Sequence, residues 1–319
     1  MSKEVSKKTT RKIKATHKKA SKKKTSKTKT SRKRSSTKKR LKYGLMQPFE
    51  VCGQRLDELL KTYELSVSGI GLIKTRPDAL RKLKKNVDED LSKSWVADWS
   101  KLDKASLDSQ LNKLAKAGEA DLNLREAEQE AAQAKELLSK GLLLIHYQTL
   151  VLLWSILESF VHILISNILL YDQKIKENDK IRKIKIPLGD FEALDAQERS
   201  YFIIRELEHQ LVASQQKGIG RFEDLLNIFG LGGGLKETYR RDLLELQQIR
   251  HVIIHRRGHV DRKLSKACPW LKLKINSEIN INREGIKKYF KAVTEYALEI
   301  LKRIVKKYSS SKIKKKVKI

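Results

Sequence analysis

Three histidines at steps of four, His251, His255 and His259, stand among Arg250, Arg256, Arg257 and Arg262. An imidazole takes up and releases protons near neutral pH, because its ordinary pKa is about 6.5. A guanidinium stays charged and offers parallel N–H donors to phosphate oxygens. A helix end this rich in arginine and histidine suits an anion, and phosphate is the obvious one. On an ideal helix, turning about 100° per residue, Arg250 and His255 stand about 140° apart. The three histidines could alternatively form a zinc face, since steps of four align on a helix. Against a metal, Gly258 interrupts the run, the arginines repel a cation, and no nearby carboxylate or cysteine offers an obvious fourth ligand. A third reading is a helix end whose positive charge complements the macrodipole.

The elements that must hold these residues read as helices. One starts near Lys236 and carries Leu243, Leu244, Leu246 and Ile249 into the Arg-His run, where Gly258 ends or bends it. After Pro269, residues 271–281 alternate apolar and polar and predict a short hairpin. Asn282 is placed to cap a last helix, whose apolar positions are Ile286, Phe290, Val293, Ala297, Ile300 or Leu301, and Ile304. Upstream, 105–140 is rich in good helix formers and predicts a long, solvent-facing helix or helix pair. Residues 191–214 predict a helix with an inner stripe of Phe202, Ile203, Leu207 and Leu211. A turn at 217–220 and a short helix at 221–229 follow. Gly230–Gly234 resembles a phosphate loop only superficially, because no Gly-Lys-Ser/Thr follows and position 235 is Leu. It reads as a turn between helices. Near the front, Gln54–Leu65 has helical spacing, Gly69, Gly71 and Pro77 break what surrounds it, and Trp95 and Trp99 pair on a helix face. The fold class is all-α.

The stretch 142–170 is long and apolar enough to span a bilayer. It nevertheless carries His146, Gln148, Glu158, His162 and Asn167. A carboxylate near mid-span costs about 3 kcal/mol, so a buried helix of a soluble bundle is the favoured reading. His146 and His162 then read as packed core histidines. A lone carboxylate in an apolar helix needs a partner, and Glu158 is assigned to Arg250, with a nearby Lys or His as the alternative.

Charge is concentrated at the front of the chain. Of the net +32, residues 1–42 hold 20 Lys and Arg against one acid, Glu4. That segment cannot bury enough apolar surface to offset its ordering entropy and reads as disordered. Lys22, Lys23, Lys24, Arg32, Lys33 and Arg34 are its densest cations. Clustered charge of this kind binds phosphate backbones, DNA included, without sequence preference and with steep salt dependence. A solubilising or targeting extension is the alternative, and Ser31-Arg32-Lys33-Arg34 and Lys38-Lys39-Arg40 would pass for a nuclear signal in a eukaryote. Cys52 and Cys268 imply no disulfide framework and fit a reducing compartment. No apolar run follows the N-terminal charges as in a secretory signal.

At the Arg250–His255 run the chain resembles the HEPN domains, helical bundles whose ribonuclease members carry Arg, a polar residue, variable residues and His. The run Gly258-His259-Val260-Asp261 looks like the Gly-x-Val-Asp that follows in one branch. The extended stretch 271–281, the helix with Tyr296-Ala297, and Leu157-Glu158-Ser159-Phe160 upstream match as well. Arg256 departs from the polar neutral residue often found there, which makes the pocket more basic. The resemblance covers 142–307, with 43–141 unassigned and 308–319 a basic tail. It implies a HEPN-like bundle with a hairpin-like insertion before the last helix, acting as a metal-independent endoribonuclease without cofactors. It also implies two domains pairing their motifs in one cleft, hence a homodimer, and a role in defence or as a toxin. His255 would be the acid/base, Arg250 the phosphate clamp, His251 the assistant, and Arg256, Arg257 and Arg262 contacts to RNA. The alternative is a non-catalytic binding module, either a HEPN-like scaffold or a lysine-rich nucleoid or chromatin protein. The expected location is the cytoplasm or nucleoid, or the nucleus in a eukaryote.

Overall fold

The computed structural model describes residues 2–94, 102–211 and 218–309, with side chains from Tyr43 onward apart from Leu188, Asp190 and Ser309. The tail expected over 1–42, with Lys22, Lys23, Lys24, Arg32, Lys33 and Arg34, has its side chains outside that set. So do the Trp95–Trp99 pair, the far end of the 191–214 helix, Lys217, and the Lys312–Lys318 segment.

Among the described residues every regular element is a helix. In chain order they are α1 (Ser2–Ser94), α2 (Lys104–Ser139), α3 (Leu143–Tyr171), α4 (Asp179–Arg182), α5 (Leu188–Ala193), α6 (Ala196–Leu211), α7 (Gly220–Ile228), α8 (Glu237–Arg256), α9 (Arg262–Ala267) and α10 (Arg283–Ser309). Two compact units divide the chain. One comprises Gln54–Ile156 with Lys236–Glu295, the other Met1–Gly53, Leu157–Leu235 and Tyr296–Ile319.

In the first unit α1 and α2 run antiparallel. Arg76 meets Glu130 at 2.5 Å, Arg81 meets Glu128 at 2.7 Å, and Lys84 meets Asp121 at 3.2 Å. Asp103 starts α2 by accepting from the Ser106 N–H at 3.0 Å, satisfying one of the orphan donors of a helix N-terminus. Ala127, Ala131 and Ala134 form its buried stripe. Gly69, Gly71 and Pro77 do not break α1, contrary to the sequence expectation. Pro77 is itself buried and flanked by the pairs that hold α1 to α2, so tertiary contacts override the local cost. Tyr63, 2% exposed, meets His146 Nε2 at 3.1 Å, and Arg283 pairs with Glu64. His146 is therefore a buried core histidine, and burial holds its pKa below the ordinary value.

The expected hairpin over 271–281 takes another form. Its residues pair with 258–260 around a single antiparallel bridge, His259↔Glu278. Val260 N–H donates to Ser277 O, Asn276 N–H to Val260 O, and Ile279 N–H to Gly258 O, each at 2.9 Å. Left-handed backbone at Lys272 and Asn276 bends the stretch and prevents it from pairing with itself. Asn282 does cap α10, its Oδ1 accepting from the Gly285 N–H at 2.9 Å.

In the second unit Phe49 packs edge-on against Phe160 at 5.0 Å, and Asn167 Nδ2 donates to Gly44 O at 2.6 Å. The buried stripe of α6 is Ser200, Ile204 and Leu207; of the expected stripe only Leu207 is fully buried. On α10 the buried positions include Tyr296 where the sequence suggested Ala297. Among the described residues α3 is the one helix long and apolar enough to cross a membrane. Its buried residues Leu150, Leu153, Leu157, Val161, Leu164 and Ile168 recur at helical steps, as in a core helix.

Candidate functional site

The site is built on the last turns of α8. Leu243, Leu246, Ile249 and Val252 bury one face of that helix, which fixes its rotation. Arg250 is then half-buried, His251 half-buried, and His255 and Arg256 exposed. The helix stops because Arg257 and Gly258 both take left-handed backbone, at φ 52° and 80°. The Arg257 and Gly258 N–H groups both bond back to Val252 O, that of Gly258 at 3.0 Å, so this carbonyl is satisfied at the helix end. Glycine is required at 258 for a second reason: a Cβ there would run into the Tyr147 ring. The Tyr147 hydroxyl donates to Ile279 O at 2.8 Å, and burial followed by the charge of Glu278 pushes its pKa up to about 12.

His251 and His255 lie ring to ring, with centroids 4.6 Å apart and planes inclined by 50°. Burial first, then the charges of Lys263 and His255, hold the His251 pKa below the ordinary imidazole value; Asp261 opposes them and Arg250 adds to them. His251 thus stands where the electrostatic influence of Arg250, His255, Asp261 and Lys263 converges. The Arg250 Nε is buried and donates to no acceptor among the described residues. A buried donor left unsatisfied costs about 1–3 kcal/mol. Asp261 caps α9 by accepting from the Leu264 N–H at 2.7 Å, which places Arg262 and Lys263 at the start of that helix. A recess of about 440 Å³ opens there, lined by Arg256, Asp261, Arg262, Lys263, Ile275 and Asn276.

The structure therefore brings Arg250, His251 and His255 to one helix end, with Arg256 and Arg262 lining the adjoining recess. Arg257 is exposed at the helix stop, and the His259 Nδ1 lies 3.3 Å from Arg256 O. Among the described residues no group of three or more His, Cys, Asp and Glu is arranged to hold a metal ion. Glu158, assigned from the sequence to Arg250, is ion-paired with Arg221. Arg221 Nε also lies 3.7 Å from Glu208, and Glu208 meets His162 at 3.1 Å. Burial pushes the Glu208 carboxyl up, but the His162 bond and the Arg221 charge bring it below the usual range. The sequence reading overlooked Lys263, although it directly follows Arg262. It also overlooked Arg221, for which no local signal exists, since Glu158 lies on a different helix. No protein-family model, curated protein or solved structure matches the chain.

Proposed function

We propose that residues 142–307 form a metal-independent endoribonuclease of HEPN type. The observation that carries this reading is the His251–His255 pair at 4.6 Å, on the helix end that also bears Arg250. The two tilted rings are close enough for one to take a proton and the other to give one. The neutral ring takes the proton from a ribose 2′-hydroxyl. The 2′-oxygen then bonds to phosphorus, the bond from phosphorus to the 5′-oxygen breaks, and the protonated ring delivers its proton to that leaving oxygen. The products are a 2′,3′-cyclic phosphate and a 5′-hydroxyl. His251, held below its ordinary pKa, suits the neutral role. Arg250 holds the phosphate and stabilises charge on it, while Arg256 and Arg262 grip the flanking backbone. A homodimer with two such sites, and a role in defence or as a toxin, belong to the same proposal.

The test is RNA cleavage in EDTA by the full chain and by the variants Arg250→Ala, His255→Ala and the double variant. General acid–base catalysis contributes about 10²–10⁴-fold, so each single variant is expected to lose at least the lower figure. Undiminished cleavage by the folded double variant overturns the proposal.

A second reading is supported by the excess of basic charge in 1–42 and the open setting of Arg256, Arg257 and Arg262. Here the chain binds nucleic acid without cutting it. Salt-dependent RNA binding with no cleavage products would favour that reading.

A further inference from the structure

The glycine run at 230–234 fits no phosphate-loop pattern, yet its surroundings are those of an anion site. Gly230, at φ 64°, turns the chain out of α7, and buried Leu231 anchors it. The loop then passes along one face of α10, where Glu299, Lys302, Arg303, Lys306 and Lys307 recur at helical steps. Glu223 clamps the two together. Arg303 Nη1 donates to both its oxygens at 2.8 and 2.9 Å, the Gly233 N–H donates to it at 3.1 Å, and the Tyr296 hydroxyl donates at 2.7 Å. Arg303 Nη2 reaches Gly234 O at 3.3 Å. The contact is close enough that a Cβ at Gly233 would sit 2.7 Å from Arg303 Nε.

Internal contacts thus account for Gly230, for Gly232, where a Cβ would run into the Asn227 side chain, and for Gly233, but not for Gly234, where a Cβ would meet only open space. That space is a recess of about 510 Å³, within the size range of small-ligand pockets. Four cations line it against one carboxylate, Glu299. Arg303 is committed to Glu223, and Lys307 donates to Phe229 O. Lys306 has no ion-pair partner among the described residues, and Lys302 has only half-buried Glu299 at 3.3 Å. The helix macrodipole explains cations in the last turn, such as Lys306 and Lys307, but does not reach back to Lys302. The N–H groups of Gly232 and Gly234 donate to no acceptor among the described residues. We propose that this recess is a binding site for a compact, multiply charged phosphorylated ligand. Lys302 and Lys306 neutralise the ligand, and the amides of Gly232 and Gly234 donate to its oxygens. This proposal is independent of the chemistry at Arg250 and His255.

The experiment is thermal unfolding of the full chain with pyrophosphate, against sodium chloride at matched ionic strength. The basic tail binds any polyanion, so the comparison is between the wild type and Lys302→Ala/Lys306→Ala, which share that tail. With pyrophosphate well above its Kd, the wild type is expected to gain roughly 2–5 °C in Tm over chloride, and the variant to lose that gain. An equal gain in both proteins, or none in the wild type, overturns the proposal. If the variant does not fold, amide NMR of the wild type decides. Shifts at Gly232 and Gly234 on adding pyrophosphate support the site, and their absence refutes it. A short RNA that shifts those amides where pyrophosphate does not also refutes it, since the ligand would then be a nucleic-acid backbone.

Discussion

Glu245 shows what a single side chain can hold in place. It is 2% exposed, yet it accepts from Trp270 Nε1 at 2.5 Å and from the Tyr289 hydroxyl at 3.1 Å, and it pairs with Lys288. Burial and then the Glu245 charge keep the Tyr289 hydroxyl protonated far above its ordinary pKa. Replacing Glu245 with Ala strands these partners. The expected loss is about 1–3 kcal/mol in urea unfolding, the usual cost of leaving a buried donor, here the Tyr289 hydroxyl, without its acceptor, and an unchanged midpoint would contradict this account. The histidines supply a pH dependence. Burial lowers the pKa of both His146 and His251. As pH falls through about 6.5, the unfolded chain binds these protons before the folded one does. Their contribution to stability is therefore complete above that pH and is lost on acidification. Unfolding midpoints measured between pH 7.5 and 5 should fall, and His146→Gln should flatten part of the slope. The residue types and spacing at 250–255 were readable in the sequence, because a step of four places His251 and His255 together on any helix. Neither Arg221 as the partner of Glu158 nor Lys263 beside His251 was read, because only the folded chain shows which charges meet.

At the scale of elements, helix stops matter more than helix interiors. Gly258 was recognisable as a terminus, but Tyr147 behind it was not, since that contact joins α3 to the end of α8. Gly258→Ala combines a left-handed backbone with a clash, and each such strain costs of order 1–3 kcal/mol. The expected result is a clear drop in Tm and, under the proposed function, slower RNA cleavage, because the same turn fixes the end of α8 that bears the histidines. A variant with wild-type Tm and rate would show that the turn tolerates a side chain. Local propensity misjudged Gly69, Gly71 and Pro77, where long-range pairs to α2 carry α1 onward. It succeeded at Asn282, where the cap is made within one turn.

At the scale of the whole molecule, charge and chemistry separate along the chain. Deleting residues 1–42 removes 20 of the 70 basic side chains, so the proposed binding to nucleic acid should weaken and its salt slope should become shallower. The proposed cleavage of saturating RNA by the remainder should persist; its loss would tie the tail to catalysis. Helix α2 has a different consequence. Its buried residues are Gln110 and a narrow line of three alanines, and its pairs to α1 lie in solvent, where salt screens them. Alanines bury little apolar area and exposed pairs contribute little, so α2 should belong to the least protected part of the fold in hydrogen exchange. Its amides should exchange well before those of α8 and faster still in high salt, as a segment able to open while the rest stays closed.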